Sequence, residues 1–134
     1  MKLKKIEKDF ISLQRVIRVS TVDKNGTPHN VPLCHVMDGD RIYFATEKGS
    51  KKVKNLMESG KAALVCDEYS EIWSYLRGVC IQGKTRVISQ GQEFRKARKL
   101  LYQKYTQYEG AFPIEEGETV IIEIIPQNIV SWGL

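Results

Sequence analysis

The stretch from Tyr43 to Leu56 combines strand-forming, turn-forming and basic residues in an order that could build a phosphate-binding site. Residues 43–45 favour a strand, and Gly49 lets the chain turn. Ser50 is a favourable helix N-cap, and apolar residues with helical spacing follow it. A helix is therefore predicted to begin near Ser50, directly after a strand and a short loop.

Several groups at this helix start could hold a phosphate. The first amide N–H groups of a helix have no intrahelical acceptor, and the helix dipole places positive charge at the same end. The side chains of Ser50, Lys51 and Lys52 would converge on that point. A solvated basic helix start explains the same residues, because no Walker-type glycine pattern is present. The stretch alone leaves both interpretations open.

Length and composition indicate one globular domain covering residues 1–134. Hydrophobic residues make up 42% of the chain and charged residues 28%, as in ordinary folded proteins. The formal net charge of +5 favours an anionic partner such as a phosphorylated cofactor or a nucleic acid, although many domains without such a partner carry as much charge.

The sequence shows no segment with the length and apolarity of a signal peptide or a membrane span. Residues 1–14 contain several lysines, and the longest apolar run, residues 120–125, is interrupted by Glu123. These features predict a cytoplasmic protein.

The three cysteines indicate neither a metal site nor a disulfide framework. Cys34, Cys66 and Cys80 are too widely spaced for a Cys-x-x-Cys metal knuckle, and each lies in an apolar pattern typical of a strand. We therefore predict free, buried thiols and no metal. Two histidines and scattered acidic residues also form no recognisable catalytic group.

Hydrophobic periodicity and turn residues predict six strands and three helices. Asp23–Gly26 is a hairpin turn signal. Because of Pro32, the strand after this turn must lie at a sheet edge, contain a bulge, or face something other than a neighbouring strand at that point. The predicted strands cover residues 16–22, 28–37, 41–46, 62–67, 72–89 and 119–132. The later helices cover residues 50–59 and 92–105, and an N-terminal helix is expected to bury Leu3, Ile6, Phe10 and Leu13.

These elements favour a mainly β fold with accessory helices, built as a closed or partly closed antiparallel barrel. A parallel sheet is disfavoured because helices do not alternate regularly with strands. The last strand carries large aliphatic residues on both faces between Val120 and Ile125, whereas a small barrel has only one interior. A second copy of the chain covering the other face would explain this pattern and predicts a homodimer.

Four segments, in this order, resemble the pyridoxamine 5′-phosphate oxidase-like family of flavin-binding split β-barrels. They are Val19–His29, Val31–Leu33, Tyr43–Leu56 and Val79–Lys84, and the resemblance extends from Val16 to Trp132. It implies a six-stranded antiparallel split β-barrel with Greek-key connections, and a homodimer with two FMN sites at the subunit interface. The implied activity is hydride or electron transfer through FMN to or from a small molecule that the sequence does not identify.

The resemblance also implies which residues hold the phosphate of FMN. Ala45 and Thr46 would lie at the phosphate end of the cofactor. Its charge would be neutralised by Ser50, Lys51 and Lys52. The phosphate interpretation of this stretch thereby gains a specific ligand.

The flavin ring is expected against the second strand. The backbone of Pro32, Leu33, Cys34 and His35 would line it, because an edge interrupted by proline leaves amide and carbonyl groups free. The His35 side chain is either a proton donor near the flavin or a structural histidine. Trp132 would pack at the cofactor or dimer seam, or in the ordinary core. No catalytic residue is assigned.

Departures from the family pattern disfavour vitamin B6 oxidation. Dedicated oxidases carry an arginine and a lysine where this chain has Val31 and Val36, and a glutamine where it has Gly78. A C-terminal extension rich in arginine and histidine is also missing. The resemblance is therefore closest to the small, unspecialised branch, whose members bind FMN, a deazaflavin or heme.

Two further functions remain open from sequence. The basic helix over residues 95–104 could bind a nucleic acid if its tyrosines were exposed for stacking, but Tyr102, Tyr105 and Tyr108 fall on the apolar stripe. They are therefore interpreted as helix packing. A flavin or heme storage or sensing protein without turnover is also compatible with the sequence.

Overall fold

The computed structural model describes residues 2–134, and its main element is one antiparallel sheet of seven strands. The strand order is β2-β1-β5-β6-β7-β4-β3, so the two edge strands are consecutive in the chain. The sheet curls into a half-barrel, which confirms the predicted split-barrel fold. The strands are β1 (Ile17–Val22), β2 (Pro28–Leu33), β3 (Val36–Asp38), β4 (Arg41–Glu47), β5 (Lys61–Glu68), β6 (Arg77–Ile88) and β7 (Thr119–Trp132).

The seventh strand arises because the predicted strand over residues 28–37 is divided. β2 ends at Leu33 and β3 begins at Val36. Between them, the backbone N–H of His35 donates to the hydroxyl of Tyr105 at 3.1 Å instead of to a neighbouring strand. A side chain from a distant helix therefore interrupts the ladder.

Four helices and one 3₁₀ turn accompany the sheet. They are α1 (Lys5–Leu13), α2 (Lys51–Ser59), α3 (Gln92–Lys104), α4 (Tyr108–Ala111) and the 3₁₀ turn Trp73–Tyr75. The short α4 was not predicted, and the 3₁₀ turn replaces the first residues of the strand expected from residue 72. Within residues 2–134, no helix is long and apolar enough to cross a membrane.

Two hydrophobic clusters lie on the two faces of the sheet. The first fills the inside of the curl, with Phe44, Ile81 and Ile122 among its fully buried members. The second packs α3 against the other face and includes Phe94 from the helix and Ile121 from β7. The second face of β7 is thus covered by a helix of the same chain, so the reason given above for a homodimer was wrong.

The N-terminal helix buries a different stripe from the predicted one. Leu3 and Phe10 are buried as expected, but Ile6 is 52% and Leu13 77% exposed, and Ile11 is buried instead. The buried carboxylate of Glu7 fixes the rotation of α1, because it accepts a 2.7 Å hydrogen bond from the hydroxyl of Ser131 on β7. This hydrogen bond, between residues 124 positions apart in sequence, therefore determines which face of α1 packs against the rest of the protein.

Candidate functional site

A cleft of about 1210 Å³ opens between the end of β2, the end of β4 with the start of α2, and the segment around α4. It exceeds the usual small-molecule pocket of roughly 300–1,000 Å³ and is large enough for a dinucleotide-sized or tetrapyrrole ligand. Seven of the ten residues proposed above for cofactor binding line it: Pro32, Leu33, Cys34, Ala45, Thr46, Ser50 and Lys52. His35, Lys51 and Trp132 do not.

The start of α2 has the predicted geometry. Ser50 is the N-cap residue in extended conformation, and its hydroxyl accepts a hydrogen bond from the amide of Val53 at 3.4 Å. The hydroxyl of Thr46 lies 3.3 Å from that of Ser50, which brings the end of β4 and the helix start together. The amides of Lys51 and Lys52 belong to the first turn and have no intrahelical acceptor. This end of the cleft therefore offers several donors to an anion.

The charged side chains that line the cleft cancel one another. Lys48 and Lys52 are offset by Glu47 and Glu118. The backbone also joins these groups, because the Lys48 amide donates to the Glu118 carbonyl at 3.1 Å. Attraction of an anion to this cleft therefore depends on the position of Lys52 and the helix start, not on an overall positive charge.

An aromatic wall faces the helix start. It consists of Tyr105, Tyr108 and Phe112, and the rings of the two tyrosines meet edge to face at 5.8 Å. Burial raises the pKa of the Tyr108 phenol to about 12, so this ring stays neutral and keeps its proton. Phe112 is 78% exposed. Tyr105 is only 3% exposed and the guanidinium of Arg15 lies 4.5 Å from the centre of its ring, so Tyr108 and Phe112 provide the flat, uncharged surface that suits an aromatic ligand.

Sequence reasoning missed this wall. Tyr105 is buried in the α3 cluster, as the packing interpretation predicts, but Tyr105 and Tyr108 also border the cleft. The available signal was the run of aromatic, glycine and proline residues over residues 108–113, directly after an amphipathic helix. Only the path of the chain after α3 brings this run opposite α2.

His35 lies behind the cleft. Its ring is fully buried, and Nε2 is 2.8 Å from the carbonyl oxygen of Ile11, to which it donates. Nδ1 is buried and has no partner among residues 2–134. Burial lowers the pKa of His35 to about 4, so the ring is neutral at physiological pH. These contacts favour the structural interpretation over the proton donor.

A comparison with protein-family models now identifies the chain. Residues 3–133 match the model described as pyridoxamine 5′-phosphate oxidase. The protein belongs to this family. A comparison with proteins of curated function returned no match.

Solved structures share the fold of this oxidase-family chain at low sequence identity. A conserved hypothetical protein from Mycobacterium tuberculosis is 18% identical with a TM-score of 0.85, covering 97% of this chain and 84% of its own. HutZ, the heme storage protein from Vibrio cholerae, is 12% identical with a TM-score of 0.79, and the match covers 97% of this chain and 94% of HutZ. A proposed 5-nitroimidazole antibiotic resistance protein from Bacteroides thetaiotaomicron is 16% identical with a TM-score of 0.78, and the match covers 98% of this chain and 84% of that protein.

In this member of the oxidase family, Trp132 does not reach the cleft of its own chain. Thr119, at the other end of β7, pairs with Glu47 at the cleft. The strand has 14 residues and would span roughly 43 Å if it were straight, so Trp132 lies at the end of β7 that is remote from the cleft. Trp132 is 40% exposed and pairs with Gly78, where its indole fills the space that a side chain would need.

The structure also shows the surroundings of two positions at which the chain departs from the family pattern. Val36 is buried in the α3 cluster, and Gly78 lies under Trp132. Within the described residues 2–134, no arginine lines the cleft.

Proposed function

We propose that the cleft binds FMN and that the protein is an FMN-dependent oxidoreductase. The observation that carries this proposal is that a helix start and an aromatic wall line the same cleft. The helix start suits the phosphate, and the uncharged wall suits the flat ring. FMN, when bound, supplies hydride or electron transfer.

The residues of this chain would bind and orient the cofactor. Ser50 and the first-turn amides would donate to the phosphate, and Lys52 would add charge. On the ring side, the end of β2 is a sheet edge, where Pro32 lacks an N–H and the neighbouring residues Leu33 and Cys34 line the cleft. The amide of His35 is already bonded to Tyr105 and would not contact the ring.

The proposal includes a homodimer. The loop between β5 and β6 exposes four large aromatic or aliphatic side chains within seven residues of sequence, Tyr69, Ile72, Trp73 and Tyr75. Exposed apolar side chains grouped in this way are typical of a protein–protein interface. A second copy would cover this surface. It could also bring its own Trp132 to the cleft, which the Trp132 of the same chain cannot reach.

The direct test is titration of purified apoprotein with FMN and with riboflavin. We expect saturable binding of FMN with the flavin absorbance bands shifted from those of free FMN, and weaker binding of riboflavin, which lacks the phosphate. Equal affinity for both ligands would contradict the phosphate assignment, and no binding of either would contradict the function.

Heme is the second candidate ligand. HutZ is named as a heme storage protein, and the cleft places Cys34 and Tyr108, two possible iron ligands, on its walls. Neither His29 nor His35 lines the cleft. Titration with hemin, followed by the Soret band in the native chain and in Tyr108→Phe, tests this candidate, and a deazaflavin would be recognised by its own spectrum.

Vitamin B6 oxidation is not expected. Pyridoxamine phosphate and pyridoxine phosphate each need cationic side chains for their own phosphate. The two lysines that line the cleft in the described part of the chain, Lys48 and Lys52, lie near the proposed cofactor phosphate. We expect no pyridoxal phosphate in an oxidase assay with saturating substrate and added FMN. Turnover comparable to that of a dedicated oxidase would contradict this prediction.

A further inference from the structure

A second pocket, of about 370 Å³, lies on the outer face of α3 and lies outside the cleft. Five of its lining residues come from α3 and recur at i, i+3, i+4, i+7 and i+8, which places them on one face of the helix. The lining residues are Arg95, Arg98, Lys99, Tyr102, Gln103 and, from α4, Glu109.

Positive charge on this face is incompletely neutralised. Three cations surround the pocket against the single carboxylate of Glu109. Arg95 has only a 3.4 Å contact with Glu116, and Lys99 makes no salt bridge with any of residues 2–134. Arg95 and Lys99 also stand four residues apart, a spacing at which like charges destabilise a helix. A bound anion would relieve this repulsion.

Two of the polar groups are held in place by the protein. Arg98 donates to the carbonyl of Ile114 at 3.2 Å and lies over the ring of Phe94 at 5.6 Å. The hydroxyl of Tyr102 accepts a hydrogen bond from the amide of Ile114 at 2.8 Å. Groups fixed before binding lose little conformational entropy when a ligand arrives.

We propose that this pocket binds a small phosphate monoester whose phosphate is held by Arg95, Arg98 and Lys99. Arginine guanidinium groups match phosphate oxygens in geometry and charge. The ring of Tyr102 supplies a flat surface for the organic part of the ligand. The pocket volume falls within the range of small-molecule sites. This proposal does not depend on the ligand of the cleft.

The test uses phenyl phosphate as probe and amide NMR shifts of the full chain as readout. We expect saturable shifts in residues 95–103 and around Glu109. These shifts should persist in the Lys51→Ala/Lys52→Ala variant, which separates the pocket from the proposed cofactor site. Shifts confined to residues 45–54, or shifts that do not saturate, would overturn the proposal.

A matched pair of variants on α3 provides the control. Lys99→Gln should weaken the binding of phenyl phosphate about tenfold, the usual loss for one charge-assisted contact. Lys96→Gln removes the same charge from the same helix outside the pocket, where Lys96 pairs with Asp38, and should leave binding within about twofold. Equal weakening by both variants would show only nonspecific attraction and would overturn the assignment.

Discussion

Lys51 and Lys52 are adjacent in sequence but face different surroundings, since only Lys52 lines the cleft. We expect Lys52→Ala to weaken FMN binding by about 1.5–3 kcal/mol, or one to two decades in affinity, because it removes a charge-assisted contact to the phosphate. Lys51→Ala should cost less than about 1 kcal/mol, as for exposed charges. Calorimetric titration measures both.

Riboflavin is the control ligand for these variants. It has no phosphate, so neither substitution should change its affinity. If Lys52→Ala weakens FMN and riboflavin binding equally, the lysine acts through the fold and the phosphate lies elsewhere.

The buried ring of His35 should make the stability of the protein depend on pH. Its pKa of about 4 in the folded state lies below the unfolded value of 6.5, so folding favours the neutral ring. The contribution of His35 to the free energy of unfolding is complete above pH 6.5 and is lost as the pH falls from 6.5 to 4. The total loss is on the order of 3 kcal/mol. Urea unfolding at several pH values measures this slope.

His35→Gln is the matched variant for this effect. A glutamine amide can still donate towards the carbonyl of Ile11 but does not titrate. The slope between pH 6.5 and 4 should flatten in this variant, even if its stability at neutral pH is lower. An unchanged slope would assign the pH dependence to other groups.

At the scale of single elements, the shift in register between β6 and β7 depends on Gly83. The register shifts between Gln82 and Gly83, and a methyl group on Gly83 would lie 2.5 Å from the carbonyl oxygen of Ile125. We expect Gly83→Ala to lower the free energy of unfolding by about 1–3 kcal/mol, the usual cost of overpacking. Chemical denaturation provides the measurement.

Gly110→Ala is the control for the glycine substitution. Gly110 lies in α4, and a methyl group there would meet no atom within 4 Å. Because alanine restricts the unfolded chain more than glycine, this change should be neutral or stabilising by up to about 1 kcal/mol. A loss of stability as large as that of Gly83→Ala would show that close approach is not the cause.

Elements set by local signals could be predicted from the sequence. The first hairpin forms where Asp23 precedes Asn25 and Gly26, and the Asp23 carboxylate accepts hydrogen bonds from the amides of Asn25 and Thr27 at 2.8 and 3.0 Å. Helix α2 likewise begins after Ser50 and ends at Gly60, which has the left-handed conformation.

Elements set by distant contacts could not be predicted. At the break between β2 and β3, the amide of His35 donates to the hydroxyl of Tyr105, which lies 70 residues away in sequence. The exposure of Ile6 and Leu13 follows from the anchoring of α1 to the last strand. For the same reason, the phosphate end of the candidate site was found from a local pattern, whereas its aromatic wall was not.

At the scale of the whole molecule, we predict a homodimer with twice the monomer mass of 15.4 kDa. Ile72 and Trp73, 57% and 73% exposed, lie in the loop assigned to the interface. Their joint replacement by serine should shift the protein towards monomer, because a stable interface needs about 1,200–2,000 Å² of buried area with an apolar centre. Analytical ultracentrifugation at micromolar concentration measures the mass.

Met57→Ser is the control for the dimer prediction, since Met57 is similarly exposed but lies on α2. This variant should remain dimeric. A native protein that is monomeric with flavin bound would contradict the predicted assembly.

The position of β7 inside the sheet has a consequence for the time course of folding. β7 follows the other six strands in sequence but pairs with both β6 and β4, and β4 and β3 are joined to the rest of the sheet only through it. During synthesis, the other six strands emerge before the strand that joins β4 and β3 to the rest of the sheet. Pairings between such distant segments are slow to form. The nascent chain therefore exposes unpaired strand edges until β7 has emerged, which is the period in which a chaperone would have most effect.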